Sequence, residues 1–108
     1  MPDAQLTKIL KAIADPTRRE IFHVLVVASA ALSISQISDR FDMTRQGLTK
    51  HLKQLESAGL IMVRPEGRER FCEANLYPLK QINEWVQFYD KFWDEKLDNL
   101  GRYLDSNE

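Results

Sequence analysis

The stretch from Thr44 to Gly59 constrains the fold more than any other part of the chain. Leu48, Leu52 and Leu55 recur at helical spacing, so one face of a helix running from Arg45 to Ala58 must be buried. Thr44 suits the N-cap, where a hydroxyl accepts from the first free backbone N–H groups. Gly59 suits the left-handed residue that follows a helix. The leucine face needs neighbours, and they are supplied on both sides. Upstream, Ser35 caps a short helix reaching Arg40, with Ile37 and Phe41 pointing inward, and Asp42-Met43 makes a tight turn. Helix, tight turn and helix form a helix-turn-helix unit. Downstream, Leu60–Val63 is β-prone, Pro65-Glu66-Gly67-Arg68 signals a turn, and Arg70–Ala74 reads as the returning strand. A two-stranded hairpin placed after a helix-turn-helix is a wing.

The flanks are helical as well. Leu6, Ile9, Leu10 and Ile13 mark an amphipathic first helix. Asp15-Pro16 ends it and opens a second, with Asp15 as N-cap and Pro16 at the first helical position. Ile21, Phe22, Leu25 and Ala28 give that helix one apolar face, and Ala30–Ile34 is a connection with room for a short strand. From Leu79 onward the chain reads as one long helix, spanning residues 78–104. Leu79, Ile82, Val86, Tyr89 and Trp93 step by three and four; Leu97, Leu100 and Leu104 continue after a shift; Trp85, Phe88 and Phe92 form a second stripe. About 25 helical residues span roughly 38 Å, as long as such a domain is wide. A helix this aromatic on two sides cannot hide both stripes in a small core, so one stripe is expected to meet a second copy of the chain. The expected architecture is mostly α with a small β-hairpin: a winged helix-turn-helix of five helices plus a two-stranded wing, one domain over residues 1–108.

Composition narrows the function. At 108 residues, 44% hydrophobic and 29% charged, the chain suits one soluble globular domain. No apolar run of about 18 residues exists, so no membrane span is expected. The first residues lack the basic start of a signal peptide. The single cysteine, Cys72, excludes an internal disulfide framework and a zinc site built on cysteine pairs, and points to a reducing cytoplasm. The net charge of -1 hides an uneven distribution. Residues 44–70 carry six basic against three acidic side chains, residues 75–108 four against seven. The basic middle suggests an anionic partner.

The chemistry of that middle is specific. Opposite the leucine face lie Gln46, Lys50, Lys53 and Ser57, with Thr49 between and Arg45 nearer the flank. That face offers an amide, two ammonium groups and hydroxyls, and no carboxylate. Lys and Arg neutralise phosphates, while Gln and Arg form bidentate hydrogen bonds to adenine and guanine edges. N-terminal residues of the second helix approach the bases when such a unit docks on double-stranded DNA. Arg45, Gln46 and Thr49 are therefore candidates for base edges, Lys50 and Lys53 for phosphates or nearby bases, with Thr44 at the helix N-terminus and His51 at the helix edge. Arg64, Arg68 and Arg70 surround Gly67 at the hairpin tip and can reach along a backbone or into a minor groove.

With those residues in place, the chain resembles the ArsR/SmtB family of winged helix-turn-helix repressors. The resemblance rests on Ala14-Asp15-Pro16-Thr17-Arg18-Arg19-Glu20-Ile21, on Ser35-Gln36-Ile37-Ser38 through Phe41, on Thr44 to Ile61, and on the wing Arg64-Pro65-Glu66-Gly67-Arg68-Glu69-Arg70. It covers roughly residues 5–75, and the Trp-rich tail is similar to one subgroup of autorepressors. The resemblance implies a homodimer joined by the first and last helices. On this chain those are Leu6, Ile9, Leu10 and Ile13 with Trp85, Phe88, Tyr89, Phe92, Trp93, Leu97 and Leu100. It also implies binding to an imperfect palindrome in a promoter, usually with repression of the protein's own operon.

Metal sensing, for which the family is known, is where the chain departs. A Cys-x-Cys-type motif on the third helix is replaced by Ser35-Gln36-Ile37-Ser38-Asp39, and no histidine follows His51. Zinc needs three or four ligands in a closed geometry, and His23, His51 and Cys72 lie on different elements. No metal and no other cofactor is expected, and Cys72 reads as a small apolar strand residue, with a lone thiol sensor as the alternative. An enzyme is excluded: no Ser-His-Asp or Cys-His spacing falls on neighbouring elements, and the four glycines are scattered at 47, 59, 67 and 101. Two rivals stay open. One is a winged-helix protein-interaction module. The other is a repressor that answers a small-molecule inducer through Trp85, Phe88, Tyr89, Phe92 and Trp93.

Overall fold

Asp3 opens the first helix by accepting from the backbone N–H groups of Gln5 and Leu6, at 3.0 and 3.1 Å. The computed structural model describes residues 3–106, which fall into two compact units divided between Pro78 and Leu79.

In the first unit, α1 (Ala4–Ala14) and α2 (Pro16–Ala28) meet at Asp15. Asp15 caps α2 by accepting from Arg18 N at 2.9 Å, with Pro16 at the first position, as its sequence predicts. Two arginines of α2 then finish α1. Arg18 donates from Nε to Ala12 O and from Nη2 to Lys11 O, at 2.7 and 3.0 Å. Arg19 donates from Nη1 to Ile13 O and Ala14 O, at 2.7 and 3.2 Å. The last carbonyls of a helix have no partner within it, and guanidinium groups supply one here.

β1 (Leu32–Ser33) leads into α3 (Ile34–Ser38). Its cap is Ser33 rather than the expected Ser35. Ser33 and Gln36 form a reciprocal capping box, at 3.1 and 2.8 Å, because Gln36 stands three residues after Ser33. The helix stops at Ser38, short of Arg40. α4 (Arg45–Ser57) is capped by Thr44, whose Oγ1 accepts from Gly47 N at 3.0 Å. Gly47 lets that cap close, since a Cβ there would sit 3.2 Å from the same oxygen. At the far end Gly59 takes φ +78°, with Leu60 N bonded to Leu55 O and Gly59 N to Glu56 O. These two bonds make a Schellman motif.

β2 (Ile61–Glu66) and β3 (Glu69–Ala74) form the wing, turning through Gly67 and Arg68 with Gly67 at φ +65°. β1 pairs with the other edge of β3, Leu32 opposite Cys72, so the sheet is three-stranded and antiparallel in the order β1-β3-β2. The core of this unit is Ile9, Ile21, Leu25, Ile37, Leu48, Leu55, Leu60, Ile61 and Cys72. Ile9, assigned above to dimerisation, is 0% exposed and belongs to this core, whereas Leu6, Leu10 and Ile13 remain partly exposed.

The second unit corrects the expected single helix over 78–104. The chain forms α5 (Tyr77–Phe88) and α6 (Asp90–Ser106), interrupted at Tyr89, so the described residues hold six helices. Tyr89 N bonds to Val86 O at 3.0 Å, three residues back, which tightens the turn. The Tyr89 ring stands edge-on to Trp85 and Phe88, with centroids 5.9 and 5.1 Å away. Asp90 then restarts the helix with an acidic first turn. Lys91 Nζ lies over the rings of Phe88 and Phe92, at 5.3 and 5.0 Å. No residue of α6 is buried.

Candidate nucleic-acid interface

The winged unit brings the predicted residues onto α4 and the hairpin. Leu48, Leu52 and Leu55 are buried, which fixes the rotation of α4. Gln46, Lys50, Lys53 and Ser57 are exposed, on the opposite face. The helix thus presents an amide and two ammonium groups on one face. Thr44 is exposed but its hydroxyl oxygen already caps the helix. Thr49 is half-buried and donates its hydroxyl proton to Arg45 O at 2.9 Å. Its oxygen can still accept, but it has no proton to offer a base.

The two flanks of α4 differ. On one, Arg45 is 60% exposed and its Nη2 lies 3.6 Å from Glu69 Oε2 on β3. On the other, half-buried His51 turns toward α2, with Nδ1 3.9 Å from Asp15 Oδ2. The His51 side chain is therefore directed to the helix junction rather than to the Gln46–Lys53 face. The Arg18 N–H that Asp15 accepts holds its carboxyl below the usual range, assisted by the nearby Arg18 and His51 charges. In the wing, Arg68 and Arg70 are exposed, while Arg64 Nη1 pairs with Glu73 Oε2 at 3.3 Å. Lys53, Thr49 and Arg70 line a narrow crevice between α4 and the sheet, together with Glu56. The exposed face of α4 carries basic side chains with a narrow seam beside it, an arrangement suited to a polyanion.

A helix-turn-helix domain model matches residues 13–64. YuzN of Bacillus subtilis strain 168, an HTH-type transcriptional regulator, is 34% identical over 86 residues, covering 73% of this chain and 92% of YuzN. A crystal structure of an ArsR family transcriptional regulator superposes with a TM-score of 0.78 at 30% identity, covering 87% of this chain and 95% of that one. The chain belongs to the ArsR family. The fold is also shared by a homodimeric winged helix-turn-helix DNA-binding domain from Mycobacterium bovis. That likeness has a TM-score of 0.63 at 23% identity, covering 81% of this chain and 79% of that one.

This ArsR-family chain is a DNA-binding transcriptional regulator and not an enzyme. Sequence reasoning missed the acids that hold its basic residues: Glu69 beside Arg45, Glu73 beside Arg64 and Asp15 beside His51. For Glu73 a signal existed, since Met62 lies opposite Glu73 in the hairpin register and Arg64 is its diagonal neighbour. Glu69 reaches across 24 residues to Arg45, and no local pattern encodes that. Among the described residues, no group of three or more His, Cys, Asp or Glu side chains is placed to hold a metal ion. None of their helices is long and apolar enough to cross a membrane. Cys72 is 0% exposed, and burial pushes its thiol up to about 11.

Proposed function

We propose that this regulator is a cytoplasmic homodimeric repressor that binds an imperfect palindrome in a promoter and does not respond to metal. The observation that carries the DNA-reading half is the exposed Gln46–Lys50–Lys53 face of α4, free of carboxylates and joined to the wing by the crevice that Lys53 shares with Arg70. In this reading Arg45 and Gln46 meet base edges, Thr49 accepts from them, and Lys50, Lys53, Arg64, Arg68 and Arg70 meet phosphates. The homodimer is supported by the exposed apolar stripes of α5 and α6, and by the homodimeric state of the Mycobacterium bovis domain. Occupancy of the promoter excludes polymerase. Independence from metal is supported by Ser35-Gln36-Ile37-Ser38-Asp39 and by the absence of histidine after His51. Tyr89 also lines an open groove of about 440 Å³ with Val86, Asp90, Phe92, Trp93 and Lys96. Dimer packing is the use we assign to it.

Fluorescence anisotropy of the protein on a labelled duplex from upstream of its own gene, with scrambled duplex as competitor, tests this reading. Five phosphate-contacting residues in each protomer, about ten contacts per dimer, predict a log–log slope of affinity against salt of about -9. Replacing Lys50 and Lys53 together by Ala is expected to weaken binding at least tenfold, about 1.4 kcal/mol, and to flatten that slope. Unchanged affinity in the double variant would refute the placement of the α4 face. Binding without salt dependence would favour a protein-interaction module.

A further inference from the structure

One carboxylate lies within the cationic surface and is fixed there. Glu69 is the first residue of β3, just past the wing turn. Its Oε1 accepts a hydrogen bond from Ser35 Oγ of α3 at 2.7 Å. Its Oε2 is shielded from solvent, has no hydrogen-bond donor among the described residues, and lies 3.6 Å from Arg45 Nη2. Glu69 therefore joins three elements: the first helix of the helix-turn-helix, the start of the second, and the wing. The Ser35 hydroxyl prevents the carboxylate from swinging away. At 3.6 Å the guanidinium is attracted without a closed hydrogen bond, so its donors stay available for another acceptor.

We propose that Glu69 is a specificity-determining positioning residue that acts on DNA through Arg45; the proposal rests on the reading that α4 and the wing face DNA. It has two effects, both toward discrimination. First, the fixed anion restrains the long Arg45 side chain before DNA arrives, so less rotamer freedom is lost when its planar fork meets a base edge. Second, a carboxylate beside Arg45 and on the strand that carries the wing arginine Arg70 repels phosphate on every duplex alike. Only a sequence that gives Arg45 a good acceptor offsets that repulsion. Weaker binding to all DNA and retained binding to the right DNA raise the ratio between them, which is the quantity a regulator needs.

Glu69→Gln tests this, because the amide oxygen can still accept from Ser35 while the charge is removed. The probes are a mixed-sequence duplex and a duplex selected by the wild-type protein from a randomised pool, each at several salt concentrations. The variant is expected to bind the mixed-sequence duplex about threefold more tightly. Its preference for the selected duplex is expected to fall about tenfold. With Arg45→Ala already present, Glu69→Gln is expected to leave the preference unchanged. Ser35→Ala, which frees one carboxylate oxygen, is expected to lower the preference in the same direction and by less; it provides a second route should Glu69→Gln fold poorly by circular dichroism. Wild-type preference in both variants, or an equal loss when Arg45 is absent, would overturn the proposal while leaving DNA binding intact. Failure of the wild-type protein to bind any duplex would overturn the functional reading itself, and the proposal with it.

Discussion

At the scale of single residues, the environment of each titratable group decides what it can do. Cys72 is on β3 opposite Leu32 and Val63, wholly buried, and its thiol is raised to about 11 by burial with Glu56 adding to the shift. A thiolate is the reactive form, so this thiol is inert at neutral pH. The sign follows: the folded protein holds the proton more tightly than the unfolded chain does. The stability this contributes is complete below the usual thiol range and is lost as pH rises through about 11. Alkylation by iodoacetamide at pH 8 is accordingly expected to be slow in the folded protein and fast in urea, followed by mass spectrometry. Rapid labelling without denaturant would place Cys72 at an accessible site. Asp15 behaves oppositely. Its carboxyl is held low, so its capping contribution is present above the usual carboxylate range and fades as pH falls through its lowered value.

At the scale of elements, caps and junctions carry the architecture, and some of them are written locally. Asp15-Pro16, Thr44 and Gly59 mark helix ends within one turn of sequence, and each is found where those residues predict it. The Ser33–Gln36 box was equally local, and Ser35 competed with it only because serine occurs at both positions. The interruption at Tyr89 was hidden, since neither glycine nor proline marks it; a tightened turn and edge-on rings do. The acids beside Arg45 and His51 were hidden for a different reason: their partners lie on other elements, and pairing follows from the fold rather than preceding it. Arg18 and Arg19 show the same dependence, with charges that look available for DNA but are directed to the carbonyls ending α1. Arg18→Ala is expected to cost about 1–2 kcal/mol of unfolding free energy, through two charge-assisted hydrogen bonds. Arg19→Ala, on exposed carbonyls, is expected to cost about 0.5–1 kcal/mol. Urea melts of both variants check this, and a silent Arg18→Ala would show that solvent closes α1 equally well.

At the scale of the whole molecule, the winged unit contains its own core, whereas the second unit leaves its apolar side chains in water. Trp93 is 65% exposed, and Leu97, Leu100 and Leu104 follow it at heptad spacing along α6. Soluble chains seldom leave so continuous an apolar seam uncovered. In the proposed dimer a two-fold interface covers the same seam on both copies at once. Dimerisation then has a consequence for DNA. Two half-sites about one helical turn apart are engaged together only if the two recognition helices are linked, so the second contact benefits from a high effective concentration. Trp93→Glu places a charge on the seam. It is expected to yield a monomer by sedimentation equilibrium and to lower affinity for a palindromic duplex by at least 100-fold, about 2.7 kcal/mol. Because the buried core residues all precede Leu79, the variant is expected to keep a cooperative thermal transition. A folded monomer with weak binding would establish that the seam supplies the linkage. A Trp93→Glu dimer that still binds the palindrome tightly would show that another surface joins the copies, and α6 would need a different occupant.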